Sequence, residues 1–259
     1  MTKREIFCMK MEITEKLKFI GCEIIYREAC RLAAESPYRI DLEFLPKGLH
    51  NLPTAQMRAR LQAVVDSVGP EKGYKAILLG YARCNNGLAG LAARAVPLVI
   101  PKAHDCITFF FGGRAAYKEY FDAQPGTYFL TTGWCERDNP EVEGSRDVMD
   151  QLGLSMTYDE MVQKYGKENA DYIRETLGDG LKNYSRLCYI EMGVGDEGVF
   201  VKSARQFADE KGWTFEQRPG DWSLFEKLFY GKWDGDFLVV QPGKTIAARN
   251  DDEVLGLGE

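Results

Sequence analysis

Long hydrophobic runs, basic clusters and paired cysteine motifs are all missing from this chain. No stretch approaches the roughly 20 apolar residues needed to span a bilayer. Met1 to Glu15 mixes Lys, Arg and Glu with isolated apolar residues, where a signal peptide would carry an uninterrupted apolar core. A cytoplasmic protein with no membrane partner is expected. Lys and Arg form no run, and 33 basic against 39 acidic residues leave a formal charge of -6, which argues against nucleic acid as a partner. Small molecules and other proteins remain. No CxxC pair occurs, and seven cysteines scattered through 259 residues do not make a secreted disulfide framework. In a reducing compartment each is a small core residue, a ligand or a nucleophile. Histidine is scarcer still, with only His50 and His104.

What is present is a core-forming composition, 45% hydrophobic and 12% aromatic, and an alternation of strand and helix signals. Leu17 to Ile20 reads as a buried strand, Glu23 to Ala34 as a helix, and Tyr38 to Leu45 as a second strand. Thr54 to Val68 follows as a helix capped by Thr54, and then come a strand at Lys75 to Leu79 and a helix at Leu88 to Ala95. Leu98 to Ile100 is a strand, Ile107 to Phe121 a helix and Tyr128 to Thr131 a strand. Such alternation predicts an α/β fold with an open, mostly parallel sheet and crossover helices. A charged stretch over 136–183 reads as a helical connector, with helices at Tyr158 to Tyr165 and Glu168 to Leu177. Strand signals return at Leu187 to Glu191, Thr214 to Gln217 and Phe237 to Val240, separated by helices at Val199 to Glu210 and Trp222 to Tyr230. The expected plan is two similar α/β lobes with a cleft between them: residues 1–135, and a smaller βαβαβ unit over 184–259.

In open parallel sheets ligands lie outside the carboxyl ends of the strands, and soft-ligand residues gather there. Cys22 closes the first strand, Cys84 follows the third, and His104 and Cys106 follow the fourth. Thiolate and imidazole together suit zinc or another transition metal. The ligand set is therefore Cys84, His104 and Cys106, with Cys22 or His50 as a fourth. Asp105 and Lys102 are the candidate catalytic side chains. Asp105 is placed to accept the second imidazole proton, and Lys102, with Arg83, to hold a carboxylate or phosphate. Tyr81, Asn85, Gly87 and Trp134 are the candidate cofactor-binding residues.

Cys8, Cys30 and Cys188 read as small apolar packing residues, and Cys135 as either a ligand or a spectator. Gly193 to Gly198 resembles a phosphate-cradling turn, but Asp196 and Glu197 would repel a phosphate, and a plain glycine turn is preferred. Trp213, Trp222 and Trp233 fit core packing better than a binding platform.

Gly21-Cys22-Glu23, Leu49-His50-Asn51-Leu52-Pro53, Leu78-Leu79-Gly80-Tyr81 through Cys84-Asn85-Asn86-Gly87, Val99 to Ile107 and Gly126-Thr127-Tyr128 with Gly133-Trp134 together resemble a bacterial and archaeal family known chiefly as a domain of unknown function. The resemblance covers most of the chain. Members of that family are often encoded beside corrinoid-dependent methyltransferases, small corrinoid proteins and their reductive activases. The resemblance thus implies anaerobic one-carbon metabolism, with a corrinoid protein or methyltransferase as partner. Arg83, Lys102 and Cys135 depart from the family's usual residues, which counts against Cys135 as a ligand. The chain has no Asp-x-His-x-x-Gly segment, so a corrinoid would enter only through a partner.

Three readings follow. The first is a metal-dependent enzyme, or accessory, of methyl transfer with a substrate in the cleft. The second is a non-catalytic metal or cofactor carrier for such a system. The third is a thiol-dependent redox protein.

Overall fold

The computed structural model describes residues 15–84, 86–137, 158–171 and 183–258. Cys8, Asn85, nearly all of the Met1 to Glu15 segment and much of the 136–183 region lie outside the described residues.

The core begins with β1 (Lys16–Cys22), whose last four residues are all buried. It leads through a 3-10 turn at Glu23–Ile25 into α1 (Tyr26–Glu35), and β2 (Arg39–Leu45) then pairs parallel to β1. A second 3-10 turn, Lys47–Asn51, precedes α2 (Thr54–Asp66), which buries Met57, Leu61 and Val65. Thr54 is the first helical residue and not the cap, because Pro53 occupies the cap position. The fully buried run β3 (Ala76–Gly80) pairs parallel with β1 on the side away from β2, and β4 (Leu98–Pro101) pairs parallel with β3. A continuous apolar run is what a parallel strand covered on both faces requires.

The sheet order is therefore β2-β1-β3-β4, closed at its edge by the antiparallel strand β8 (Phe237–Val240). Winding goes one way from β1 to β2 and the other way to β3, so the crevice at the carboxyl ends of β1 and β3 is the topological switch point. Gly21 and Gly80 are paired there, and the Phe19 ring lies so close that a Cβ on either glycine would come within 2.4 Å of it.

Beyond β4 the chain forms α3 (Ile107–Phe110), α4 (Arg114–Ala123), β5 (Thr127–Leu130) and α5 (Thr132–Glu136). The single helix expected from Ile107 to Phe121 is broken because Gly112 and Gly113 take φ values of 73° and 151°. The helix expected over Leu88 to Ala95 is instead a turn followed by an extended stretch. Gly90 has φ 84°, Ala92 bridges Thr245, and Leu91 and Ala93 exchange backbone hydrogen bonds with residues 243–246. After α6 (Tyr158–Tyr165) and a helical stretch at 167–171, the parallel sheet β5-β6-β7 is completed by β6 (Arg186–Glu191) and β7 (Thr214–Pro219). Helix α7 (Glu197–Lys211) connects them. Helix α8 (Ser223–Phe229) leads back to β8, and β9 (Ile246–Ala248) and β10 (Leu255–Leu257) make an antiparallel pair near the end.

The α/β class and the mostly parallel sheets are as expected, but strand membership is not. β5, expected in the N-terminal layer, pairs with β6, and β8, expected in the C-terminal unit, pairs with β4. Local pattern shows that a strand exists; which neighbour it finds is a tertiary property. One buried cluster runs through both sheets, joining Leu17, Phe19 and Leu78 with Cys188 and Ile190. Among the described residues no helix is long and apolar enough to cross a membrane.

Candidate functional site

A cavity of about 280 Å³ opens at the switch point. Cys22 reaches it from the end of β1, His50 from the second 3-10 turn, Tyr81 and Cys84 from the loop after β3, His104, Asp105 and Cys106 from the loop after β4, and Trp134 from α5. Ile24, Ile25 and Phe109 supply much of the apolar wall. The loops after β3 and β4 stay in register beyond the strands. Arg83 N–H donates to Ala103 O at 2.9 Å and Cys84 N–H to His104 O at 3.3 Å, which brings Cys84 alongside the His104 to Cys106 segment. Cys84 and Asn86 adopt φ of 27° and 55°. Left-handed backbone at a non-glycine residue costs about 1–2 kcal/mol, and such strain clusters at functional sites.

Helix α5 seats Trp134. Thr131 Oγ1 caps the helix by accepting from Trp134 N–H at 3.4 Å. Gly133 packs so tightly on the turn after β1 that a Cβ would stand 1.6 Å from Ile24 O. Arg27 of α1 grips the Glu136 carboxylate through Nε at 2.6 and 2.8 Å. The Trp134 ring meets His50 edge-on at 5.8 Å, with Lys47 Nζ 5.2 Å from its centre.

Burial dominates the electrostatics. It pushes Cys22 and Cys84 up to about 12 and Cys106 well above the ordinary thiol value. The three thiols also feel one another, since charge on Cys84 raises Cys22, and charge on Cys84 and Cys22 raises Cys106. The Trp134 indole N–H opposes this at Cys106 by favouring the thiolate. Trp134 Nε1 and Tyr81 Oη are both buried and meet no acceptor at full hydrogen-bond geometry. Tyr81 is only 3% exposed, and burial, then Cys22, raises its pKa well above 10. At neutral pH the cavity is a mostly apolar chamber lined by protonated thiols, with Tyr81 Oη–H unpartnered and the Trp134 indole N–H facing Cys106.

The remaining sequence candidates lie elsewhere or do other work. Lys102 forms an ion pair with Glu253 and is not part of the cavity wall. Arg83 is held by Asn86 Oδ1, Arg249 O and Asn250 Oδ1. Gly87 packs on Met57 away from the cavity. Asp105 lies two residues ahead of α3, with Oδ1 accepting from Ile107 N–H at 2.9 Å and Thr108 N–H at 3.3 Å, while Oδ2 accepts from Tyr117 Oη–H at 3.0 Å. Cys188 is buried in β6 and Cys30 half-buried in α1, both as packing residues. The turn after β6 cradles a carboxylate, because Glu197 accepts from Met192 N–H and Gly193 N–H at 2.9 and 3.0 Å. Trp213 packs with Tyr128, Tyr184 and Phe207, and Trp233 Nε1 donates to Leu228 O.

A single tetrahedral zinc holds its thiolates at about 2.3 Å, which sets them about 4 Å from one another. Among the described residues no three His, Cys, Asp or Glu side chains are gathered in an arrangement that could hold one metal ion. The expected ligands Cys22, Cys84, His104, Cys106 and His50 are therefore brought to one cavity without being gathered around one point.

A family model described as "Protein of unknown function (DUF1638)" matches residues 44–229, well over half of the chain. The protein belongs to the DUF1638 family. No curated protein and no solved structure matches it. The DUF1638 match includes His50, Tyr81, Cys84, His104, Cys106 and Trp134, whereas Cys22 lies ahead of the matched span. Sequence reasoning missed the apolar half of the wall, Ile24, Ile25 and Phe109. It also missed Glu28, a buried carboxyl on α1 whose place on the apolar stripe, three residues after Ile25 and four before Leu32, was a readable signal.

Proposed function

We propose that this protein is a soft-metal thiolate protein acting in methyl transfer, with Cys22, Cys84 and Cys106 as the thiolate ligands and a small substrate held in the same cavity. The observation that carries this reading is the delivery of three cysteines, from the ends of three different strands, into one cavity. Small apolar residues would pack as well as thiols. What thiols add is affinity for a soft metal, whose binding replaces protons that burial otherwise holds in place. A bound metal centre supplies charge that holds a thiol acceptor as thiolate or polarises a methyl donor. The chain's own residues do the rest: Ile24, Ile25 and Phe109 exclude water, Tyr81 and Trp134 offer donors to a negative sulfur or oxygen, and His104, at the exposed rim, can carry a proton between chamber and solvent. A corrinoid macrocycle is far larger than about 280 Å³, so in this reading it stays on a partner protein that docks to deliver the methyl group.

Burial of the three thiols favours an enzyme over a metal carrier, which needs an exposed and readily emptied site. The test begins with elemental analysis of anaerobically purified protein beside Cys84→Ser and Cys106→Ser. Bound transition metal in the wild type, reduced roughly tenfold in both variants, supports the reading. Protein that is metal-free both as purified and after anaerobic metal loading overturns it. Demethylation of free methylcobalamin by a small thiol, followed by its visible spectrum, then reports the reaction. Wild type should accelerate it and Cys106→Ser should not.

A further inference from the structure

We propose that the centre in this cavity is an iron–sulfur cluster of the cubane class, bound by Cys22, Cys84 and Cys106, with its fourth iron open to the remaining space. The inference rests on the soft-metal reading of the same chamber and names the centre.

Three features carry it. The ligand count comes first: among the described residues three cysteines line the cavity, while Cys30, Cys135 and Cys188 do not. Clusters of this class take one thiolate per iron, so three leave one iron without a protein thiolate. Placement comes second. Cys22, Cys84 and Cys106 reach one chamber from three separate segments of chain, which suits a centre in which each sulfur binds a different metal atom. Size comes third. About 280 Å³ is far more than one ion needs once its ligands surround it. Against about 30 Å³ per water-sized group, it holds an eight-atom iron–sulfide core.

The two buried donors acquire a purpose in this arrangement. Tyr81 Oη–H is buried without an acceptor and Trp134 Nε1–H already faces the Cys106 sulfur, and the sulfurs of a cluster accept such bonds. Hydrogen bonds to sulfur and exclusion of solvent set a cluster's reduction potential. Assembly balances without a redox step: two ferric and two ferrous ions join four sulfides, three thiols form Fe–S bonds, and their three protons pass to solvent.

The experiment is anaerobic reconstitution of the full chain with equal parts ferric and ferrous iron and with sulfide. The readouts are iron, acid-labile sulfide, zinc, visible charge-transfer absorption and paramagnetic resonance after reduction. About four irons and four sulfides per chain are expected. Cys22→Ser, Cys84→Ser and Cys106→Ser should each lose most of both, while Cys30→Ser retains them, with circular dichroism confirming that each variant folds. Trp134→Phe should keep the stoichiometry and lower the reduction potential, because a donor that stabilises the more negative reduced cluster is gone. One zinc per chain without sulfide, lost in the same cysteine variants, overturns the cluster and leaves the soft-metal reading standing. Protein that takes up no metal of either kind overturns both. Iron and sulfide retained in all three cysteine variants also overturn the cluster assignment.

Discussion

Glu28 sits on the buried face of α1, only 1% exposed, and neither carboxyl oxygen finds a hydrogen-bond partner outside the residue. Burial raises its pKa from 4.5 to about 7, with Glu197 and Glu136 adding to the rise and Arg27 opposing it. Below about pH 4.5 Glu28 is protonated whether the chain is folded or not, and it costs nothing. Between about 4.5 and 7 the unfolded chain releases the proton while the folded one keeps it, so stability falls as pH rises. Above about 7 the penalty is complete, on the order of 3 kcal/mol. Glu28→Gln should therefore stabilise the protein at pH 8 by up to about 3 kcal/mol and leave it unchanged at pH 4. Urea titrations at both values check this, and equal shifts at both would refute it. Single residues differed in how readable they were. Cys84, His104 and Cys106 stood out because each follows an apolar run that had to be a buried strand, and position after a strand is a local property. Lys102 misled because its charge is taken by Glu253, 151 positions later in the chain, and nothing near Lys102 announces that partner.

Helices and strands were legible wherever one period dominated. β8 spans Phe237–Val240 as expected, and α1, α7 and α8 agree to within a few residues. Expectation failed where glycine backbone or a distant partner overrode the pattern, at the Gly112-Gly113 break and in the stretch after Gly90 that pairs with the β9 region. At α3 the deciding element is a carboxylate just ahead of the helix, which holds its first two N–H groups as a capping side chain does. Asp105 is polar, lines the cavity and adjoins His104, which made it look catalytic, yet its oxygens are engaged with Ile107, Thr108 and Tyr117. A capping aspartate replaced by alanine costs about 0.5–2 kcal/mol. Asp105→Ala should lower stability by about that much while retaining bound metal, because the cysteines do not depend on its carboxylate for their ligand atoms. Thermal unfolding and metal content measured on the same preparation separate the two roles. Loss of metal at unchanged stability would return Asp105 to the candidate site residues.

The two sheets do not follow the order of the chain. β5 leaves the N-terminal half to pair with β6, and β8 returns from the C-terminal end to close the first sheet against β4. A buried cluster joins residues of both sheets. Cutting at residue 135 or 184 would therefore strip one sheet of its edge strand and leave backbone groups of the other unpaired. Alternation along the sequence revealed the class of fold because each βα unit is local. The exchange of strands was hidden because pairing between positions more than a hundred residues apart leaves no periodic trace. It follows that the chain should unfold as one cooperative unit, with a calorimetric to van't Hoff enthalpy ratio of about 1, and that fragments 1–135 and 184–259 should each fail to fold when expressed alone. Scanning calorimetry of the intact chain, with circular dichroism of the fragments, decides the matter. Two resolved transitions, or a fragment with dispersed native signals, would mean that each sheet tolerates the loss of its exchanged strand. The three thiols would then depend on the first sheet alone, because Cys22, Cys84 and Cys106 all follow or close β1, β3 and β4, while Trp134 would still reach the cavity from beyond β5.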